Sequence, residues 1–290
     1  MMDSGQTEFQ LNASQKTIKR RKISLWRLAG YACLILAALI ILFPLALMIS
    51  SSLKDEMAIF EYPVKFIPDN PGLDNYRQLK ENFPLYILNS LKVTGIIVLL
   101  QILTATTGGY VFAKLKWCGR DLVFMFYIGS LMIPIHVYII PQFILVRRLG
   151  LYDSHWALVC VSSFTALGTF LMKQFFMTIP DSLVEAAKID GASHIQIFTS
   201  IILPLSKPVI ATQIILSFRW FWNDFFAPLI YLTSEHLKTL PLGLADFASE
   251  YYTYYGPQMA ASVLAIIPVM VVFLLGQKYI VQGVVTSGIK

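Results

Sequence analysis

Residues 28–53 read LAGYACLILAALIILFPLALMISSSL and contain no charged side chain. A helix needs about 20 apolar residues to cross the hydrocarbon core of a bilayer, and this stretch exceeds that length. It is also longer than the apolar region of a usual secretory signal peptide, and no clear small-x-small cleavage site follows it. The stretch therefore predicts a first membrane-spanning helix that the chain retains.

The composition of the whole chain indicates a bilayer environment. Apolar residues make up 56% of the chain and charged residues 14%, and this charged share is about half of that in typical soluble domains. Five further stretches are apolar enough to span a membrane. The six predicted spans cover residues 28–50, 85–113, 122–146, 154–176, 208–233 and 260–281. The sequence thus predicts an all-α integral membrane protein with six transmembrane helices in one domain, residues 28–283, between tails of residues 1–27 and 284–290.

The distribution of Lys and Arg predicts the orientation of the chain. If the N-terminus is cytoplasmic, the inside segments carry twice as many of these residues as the outside segments, which is the bias that membrane proteins show. The pair Arg147-Arg148 goes against this bias. We therefore expect a multi-pass protein in the cytoplasmic (inner) cell membrane, surrounded by lipid, with both termini on the cytoplasmic side.

Several functional classes lack the residues that they require. The net charge of +6 comes from basic residues that mostly flank apolar runs, so lipid topology explains it better than a nucleic-acid partner. Cys33, Cys118 and Cys160 have no metal-ligand spacing, and the four histidines are scattered. The chain has no GxxxxGK[ST] phosphate loop, no HExxH and no GxSxG sequence. We therefore expect no catalytic residues, no metal site and no cofactor bound by this chain.

The segment of residues 180–204 reads PDSLVEAAKIDGASHIQIFTSIILP and has the local signals of two short helices joined by a turn. Pro180 suits the start of a helix, and Gly191 can take the left-handed conformation that ends one. Ser193 with Gln196 three residues on fits a capping box that begins the next helix. Two functions fit these residues equally well: an amphipathic element that anchors the flanking spans at the membrane surface, or a docking site for a cytosolic partner.

The same segment resembles a known family. Its fixed residues and both of its spacings resemble the EAA loop of binding-protein-dependent ABC importer permeases: Glu185-Ala186-Ala187, three residues, Gly191, nine residues, and Ile201-x-Leu203-Pro204. The runs WNDFFAPL (222–229) and QKYIVQG (277–283) are similar to the carbohydrate-uptake subgroup, which includes the maltose-type permeases. The resemblance covers most of the chain except about its first 20 residues.

The resemblance implies that residues near 180–191 form a coupling helix in a cytoplasmic loop between spans 4 and 5, seated in a cleft of a separate ATPase subunit. Glu185 would face a basic group on the ATPase, and Ala186 and Ala187 would allow close approach. Gly191 would supply the turn. The motif residues Ile201, Leu203 and Pro204 would belong to the same ATPase-coupling element.

The resemblance also implies the composition of a transport complex. ATP and Mg²⁺ would bind to two ATPase subunits, and the chain would pair with a second permease subunit that is a different chain. An extracytoplasmic solute-binding protein would deliver a sugar or oligosaccharide. The chain itself would be a non-catalytic permease subunit of an ATP-hydrolysing translocase. A gradient-driven secondary transporter is the alternative interpretation.

Polar residues in the fifth predicted span are candidates for the translocation path. Arg219 and Asp224 are costly inside a bilayer, where charged groups usually face a cavity or each other. Five residues apart on a helix, they are about 140° out of phase and should not pair along it. Trp222 and Asn223 offer the stacking and hydrogen bonding that sugars use. Contact with another span and interfacial anchoring of the aromatic rings are the alternatives.

An aromatic cluster lies in the predicted outside loop between spans 5 and 6. Its members are Phe247, Tyr251, Tyr252, Tyr254 and Tyr255. A belt of aromatic residues at the membrane interface would account for them. The family resemblance implies another function, in which the loop reaches into the open cleft of the solute-binding protein, and different tyrosines could serve each function.

Overall fold

The structure, a computed structural model, describes residues 25–79, 81–248 and 252–287. Residues 1–24 of the predicted N-terminal tail, residues 288–290 and Tyr251 of the aromatic cluster lie outside the described residues. The described part is helical throughout, apart from turns and one isolated bridge between Ala248 and Thr253. The predicted all-α class is therefore confirmed for these residues.

The helices are numbered here in chain order. They are α1 (Leu25–Ser52), α2 (Glu56–Ile59), α3 (Asp74–Arg77), α4 (Phe83–Lys114), α5 (Arg120–Gly129), α6 (Ile135–Arg148), α7 (His155–Ser162), α8 (Ala166–Thr178), α9 (Asp181–Ile189), α10 (His194–Ile197), α11 (Leu203–Leu205), α12 (Lys207–Trp222), α13 (Phe226–Tyr231), α14 (Leu240–Ala245) and α15 (Tyr255–Ser287). Short 3-10 turns lie at Ser130–Met132 and Glu235–Leu237, and a π-helical turn lies at Phe198–Ile202.

Three helices are each long and apolar enough to cross a membrane: α1, α4 and α15. Three further pairs of consecutive helices meet the same test only when the two halves are taken together. Arg120–Met132 meets α6 at 99°, α7 meets α8 at 41°, and His194–Leu205 meets α12 at 76°. By length and composition the described chain thus offers three spans, or up to six if every bent pair is one span.

The chain divides into two compact units, residues 1–47 and residues 48–290. In the first unit, the described residues form the greater part of α1, and their large apolar side chains are exposed from Trp26 to Phe43. An apolar helix whose side chains are exposed all round suits a lipid environment.

Helix α4 is the central element of the second unit. It packs along α8 at very close range. A Cβ atom on Gly109 would lie only 2.5 Å from Cβ of Met172, so the two helices meet here only because residue 109 has no side chain. Small residues allow helix backbones this close an approach in membranes. Next to this contact, one core cluster joins α4 and α8 to the segment that follows them. Its buried members are Ala105, Tyr110, Met172, Phe176, Ile179, Val184, Ile197 and Ile202.

Side chains of α4 also stabilise the bend between α7 and α8. A helix break leaves carbonyl groups without helical partners, and in a bilayer these groups need other donors. The Gln101 amide donates to the Ser162 carbonyl at 2.8 Å, and the Thr104 hydroxyl donates to the Ser163 carbonyl at 3.0 Å. Ser217 of α12 in turn donates to the Gln101 carbonyl oxygen at 2.7 Å. Three helices are therefore joined through one buried polar chain at the bend.

Candidate functional site

The segment of residues 180–204, here called the EAA loop, contains the predicted pair of short helices. Helix α9 ends at Ile189, and Gly191 has a φ of 82°, which is a left-handed conformation that favours glycine. The Ala192 N–H then donates to the Ala187 carbonyl at 2.9 Å and closes the end of the helix. The predicted turn at Gly191 is confirmed.

The capping box that begins α10 is confirmed as well. The Gln196 N–H donates to Oγ of Ser193 at 3.3 Å, while the Ser193 N–H donates to Oε1 of Gln196 at 2.8 Å. The chain beyond α10 differs from a plain α-helix, because Phe198–Ile202 forms a π-helical turn. The Leu203 N–H closes this turn by donating to the Phe198 carbonyl, five residues before it. Pro204, the next residue, has no N–H to donate. The chain then bends by 76° before α12, close to Pro204 and Pro208.

The surface of the EAA loop is partly apolar. Val184 is buried in the core cluster, whereas Glu185 and Ala186 are exposed and Ala187 is half-buried. Ile189 is 87% exposed and Ile195 is 75% exposed. Adjacent exposed apolar residues beside polar ones are typical of surfaces that bind a partner. A helical projection of α9 would have added Ile189 to the candidate residues, which the motif alone does not include.

The remaining motif residues lie at the C-terminal end of the segment, shortly before α12. Ile201 and Leu203 are half-buried, and Pro204 is exposed. The motif therefore contains two kinds of position. Glu185, Ala186, Gly191 and Pro204 are accessible from outside the chain, while Ile201 and Leu203 contribute to packing.

The C-terminal end of α4 contacts both helices of the EAA loop. Nζ of Lys114 donates to the Ile179 carbonyl and to Oδ1 of Asp181, each at 2.6 Å. The Tyr110 hydroxyl shares a hydrogen bond of 3.3 Å with Nδ1 of His194. The hydrogen bond from Lys114, together with its charge, lowers the pKa of Asp181. The sequence motif gave no signal for Lys114, because its partner Asp181 lies 67 positions away.

Three of the four candidate path residues line one open cavity of about 400 Å³. Arg219, Asn223 and Asp224 lie there together with Trp220, Phe225 and Phe226. The fourth candidate, Trp222, is 2% exposed and points elsewhere, since its indole N–H donates to the Ala265 carbonyl of α15 at 2.9 Å. Trp222 thus makes the helix–helix contact that was the alternative interpretation of this span.

The two charged residues of this cavity do not pair with each other. Among the residues that the structure describes, Arg219 and Asp224 form no salt bridge, and Asp224 lies beyond the end of α12 at Trp222. The Asp224 carboxylate instead accepts hydrogen bonds from the N–H groups of Phe226 and Ala227, at 3.1 and 3.3 Å. It thereby caps α13. The helix is interrupted between Trp222 and Phe226, within residues 208–233, which the sequence predicts as one span.

The aromatic cluster between α14 and α15 is divided between core and surface. Phe247 is buried and packs against Phe83, with ring centroids 6.3 Å apart. Tyr252 and Tyr254 are exposed and contact each other edge to face at 4.8 Å. The Tyr255 ring contacts Phe60 at 5.0 Å, and Tyr251 lies outside the described residues. Tyr252, Tyr254 and Tyr255 are thus the exposed tyrosines among the described members of the cluster.

These features define a class of protein: a polytopic helical membrane protein with an accessible, capped helix pair between two apolar regions. Within the described ranges, no group of three or more His, Cys, Asp or Glu side chains could hold a metal ion. The sequence profile of the family described as "Binding-protein-dependent transport system inner membrane component" matches residues 105–286. The chain belongs to this family, and it is therefore an inner-membrane permease of the binding-protein-dependent transport systems.

Relatives with assigned names agree with the family. The chain is 34% identical over 268 residues to the sn-glycerol-3-phosphate transport system permease protein UgpE of Salmonella choleraesuis, covering 89% of this chain and 95% of the relative. It is 31% identical over 258 residues to the arabinooligosaccharides transport system permease protein AraQ of Halalkalibacterium halodurans, covering 87% and 92%. The family assignment does not favour a gradient-driven secondary transporter.

Solved structures share the fold. One chain of a bacterial ABC transporter involved in the import of the acidic polysaccharide alginate superposes with a TM-score of 0.79 at 25% identity, covering 90% of this chain and 98% of that chain. A chain of a bacterial alginate ABC transporter in complex with an alginate pentasaccharide-bound periplasmic protein superposes with a TM-score of 0.60 at 19% identity, covering 87% and 95%. The second likeness shows the fold alone.

Proposed function

We propose that this chain is a transmembrane permease subunit of an ABC importer for a sugar or oligosaccharide. The observation that carries the proposal is the EAA loop, whose motif residues fold into a capped helix pair with Glu185, Ala186 and Gly191 on the surface. The names of the relatives, which transport sn-glycerol-3-phosphate and arabinooligosaccharides, support a substrate of the carbohydrate type. The import of alginate by the structurally similar transporter supports the same class.

The proposed coupling element is α9, seated in a cleft of a separate ATPase subunit. Glu185 faces a basic group there, and the small side chains of Ala186 and Ala187 let the two surfaces approach. The exposed apolar side chains of Ile189 and Ile195 widen this contact. Such a rigid element can transmit closure of the ATPase to the spans, because its two positions differ in energy in the two states of the ATPase.

The proposed complex contains two permeases, two ATPase subunits that bind ATP and Mg²⁺, and an extracytoplasmic solute-binding protein. This chain crosses the inner membrane six times, with α1, α4, α5–α6, α7–α8, α12–α13 and α15 as the spans and both termini in the cytoplasm. The cavity at Arg219, Asn223 and Asp224 faces the translocation path. Trp222 supports that cavity from behind by joining α12 to α15. Tyr252, Tyr254 and Tyr255 contact the binding protein.

Two glycines with the same backbone conformation allow a matched test of coupling. Gly191 in the EAA loop has a φ of 82°, and Gly150 in the opposite loop has a φ of 70°, both with open space where a Cβ would lie. The changes Gly191→Asp and Gly150→Asp impose similar backbone strain, on the order of 1 kcal/mol. We expect both variants to insert, but only Gly191→Asp to abolish ATP-dependent uptake by the complex in proteoliposomes.

Two results would contradict the proposed function. The first is equal uptake by the Gly191→Asp and Gly150→Asp variants, which would remove the coupling assignment. The second is uptake by the purified chain alone, without ATP, which would favour the gradient-driven transporter. Mass spectrometry of the proteins that co-purify with the chain provides the direct check on the ATPase and the second permease.

A further inference from the structure

The joint between α8 and α9 is held by a residue from a distant helix. Ile179 precedes Pro180, and Asp181 follows it as the first residue of α9. Lys114, the last residue of α4, bonds to both sides of the proline, at the Ile179 carbonyl and at the Asp181 carboxylate. The end of α4 is thus attached to the point where the chain turns from α8 into α9.

The burial of Lys114 shows that this attachment is built into the fold. Its side chain is 3% exposed, whereas the side chain of Asp181 is 75% exposed. Lysine is almost never this buried unless its ammonium group is paired. The ammonium group therefore stays where its two acceptors are, since leaving them would place an unpaired charge among covered atoms.

Among the described residues, no backbone hydrogen bond crosses the α8–α9 joint at Pro180. Pro180 has no N–H, so it cannot donate a hydrogen bond across the turn. The residues around it are connected to their own helices by the Ile179 N–H to the Phe176 carbonyl and by the Leu183 N–H to the Pro180 carbonyl, both at 3.2 Å. These two bonds act on opposite sides of the proline, and neither connects α8 to α9 across it.

A second contact from α4 holds the other helix of the pair. Tyr110 lies one helical turn before Lys114 and bonds to His194 at the start of α10. Its ring also packs against Phe198, with centroids 5.2 Å apart. One face of α4 therefore holds the beginning of α9 and the beginning of α10, and the whole pair rests on this helix.

We propose that Lys114 is a positioning residue that fixes the α8–α9 joint to α4, so that displacement of α9 by an ATPase moves α4 instead of bending the chain at Pro180. This inference rests on the proposed function, in which α9 is the coupling helix. Helix α4 also supplies Gln101 and Thr104 to the bend between α7 and α8. A displacement of α4 therefore also moves the bend between α7 and α8.

The experiment measures ATP hydrolysis by the purified complex in lipid nanodiscs, with Mg²⁺ and ATP as the only additions. In Lys114→Met the apolar stem is kept and the ammonium is lost. The ATPase subunits then close without moving α4, so hydrolysis in the absence of solute rises at least about fivefold, the lower limit of typical coupling between sites. Lys114→Arg keeps the charge and the donors and restores the wild-type rate.

A matched control and a milder variant keep the test decisive. Lys65 lies in the loop between α2 and α3 and is paired with Asp69 at 2.5 Å, with both side chains exposed. Lys65→Met removes this ion pair outside the EAA loop and leaves hydrolysis unchanged. Asp181→Asn removes the carboxylate charge but keeps an oxygen that can accept from Nζ of Lys114, so it weakens the attachment with little change in packing at a side chain that is 75% exposed. It raises hydrolysis in the same direction if Lys114→Met fails to fold. Damage to the fold alone would lower hydrolysis.

The outcomes separate this inference from the proposed function. Unchanged or lower hydrolysis in both Lys114→Met and Asp181→Asn overturns the positioning assignment, while loss of uptake in Gly191→Asp would still support the coupling helix. Wild-type uptake in Gly191→Asp, or a preparation without an ATPase, overturns the proposed function itself. Increased hydrolysis in Lys114→Met and Asp181→Asn, with Lys114→Arg and Lys65→Met at the wild-type rate, supports both.

Discussion

At the residue scale, Asp153 joins two loops through its carboxylate. It accepts hydrogen bonds from the N–H groups of Thr233 and Ser234, at 2.8 and 2.9 Å, and from Oγ of Ser234 at 2.5 Å. Its own N–H donates to the Tyr231 carbonyl. The hydrogen bonds from Ser234 and Thr233 lower the pKa of Asp153, because they favour the charged form of the carboxyl group.

This shift predicts how Asp153 contributes to stability with pH. A carboxyl group whose pKa is lower in the folded chain stabilises it above the ordinary value of about 3.8, and the contribution is lost as the pH falls through the lowered folded pKa. We expect Asp153→Asn to unfold at a lower temperature than the wild type at pH 7, with the gap closing in strongly acidic buffer. The measurement is thermal unfolding in detergent, and a gap independent of pH would contradict it.

Residues whose conformation is determined locally were the ones that the sequence predicted well. The turn at Gly191 and the capping box of Ser193 and Gln196 depend on neighbours within four positions. The direction of the Trp222 side chain depends on α15, and the salt bridge of Lys114 depends on Asp181 far along the chain. No local pattern specifies such contacts. The sequence therefore predicts Trp222 as a candidate residue of the translocation path, but it cannot show that the side chain faces a neighbouring helix.

At the element scale, the contact between α4 and α8 depends on one glycine. A Cβ atom on Gly109 would lie 2.5 Å from Cβ of Met172 and 3.0 Å from N of Lys173, so the helices would have to separate. We expect Gly109→Ala to lower the free energy of unfolding by about 1–3 kcal/mol, as overpacked cores do. Unfolding in a mixed-detergent titration would measure the change.

The control for this prediction lies in the same helix. Gly95 has open space where its Cβ would lie, and alanine is the better helix former by about 0.5–1 kcal/mol. Gly95→Ala should therefore leave the stability unchanged or raise it. Equal effects of Gly95→Ala and Gly109→Ala would indicate that helix propensity, and not the close contact with α8, determines the result.

The sequence predicted apolar stretches more reliably than the bends within them. The bend before α12 has a local cause in the sequence, because Pro204 and Pro208 lie beside it and proline cannot donate within a helix. The bend between α7 and α8 has no proline or glycine at the break, where Thr165 instead caps α8 through the Gly168 N–H. Its other donors, Gln101 and Thr104, come from a different helix, so a continuous span was the natural prediction from the sequence.

At the scale of the whole molecule, the proposed topology can be tested with the chain's own cysteine. Cys118 lies between α4 and α5, on the side proposed to be cytoplasmic, and it is exposed. With Cys33→Ala and Cys160→Ala in place, a membrane-impermeant thiol reagent should label Cys118 in inverted vesicles but not in intact cells. Adding Asn70→Cys and Cys118→Ala to that background should give the reverse pattern, and labelling of both positions from one side would contradict six spans.

The hydrogen bond from the Trp222 indole to the Ala265 carbonyl has a practical consequence for following a transport cycle. This bond joins α12 to α15 and keeps the two helices in register. Within α12, the ring of Phe218 stacks on Trp222 with centroids 5.5 Å apart and supports the indole. Two spin labels, one on α12 and one on α15, should therefore report the same separation whichever nucleotide is present. In pulsed electron paramagnetic resonance, that separation would serve as a fixed reference distance for measuring the displacement of the other helices.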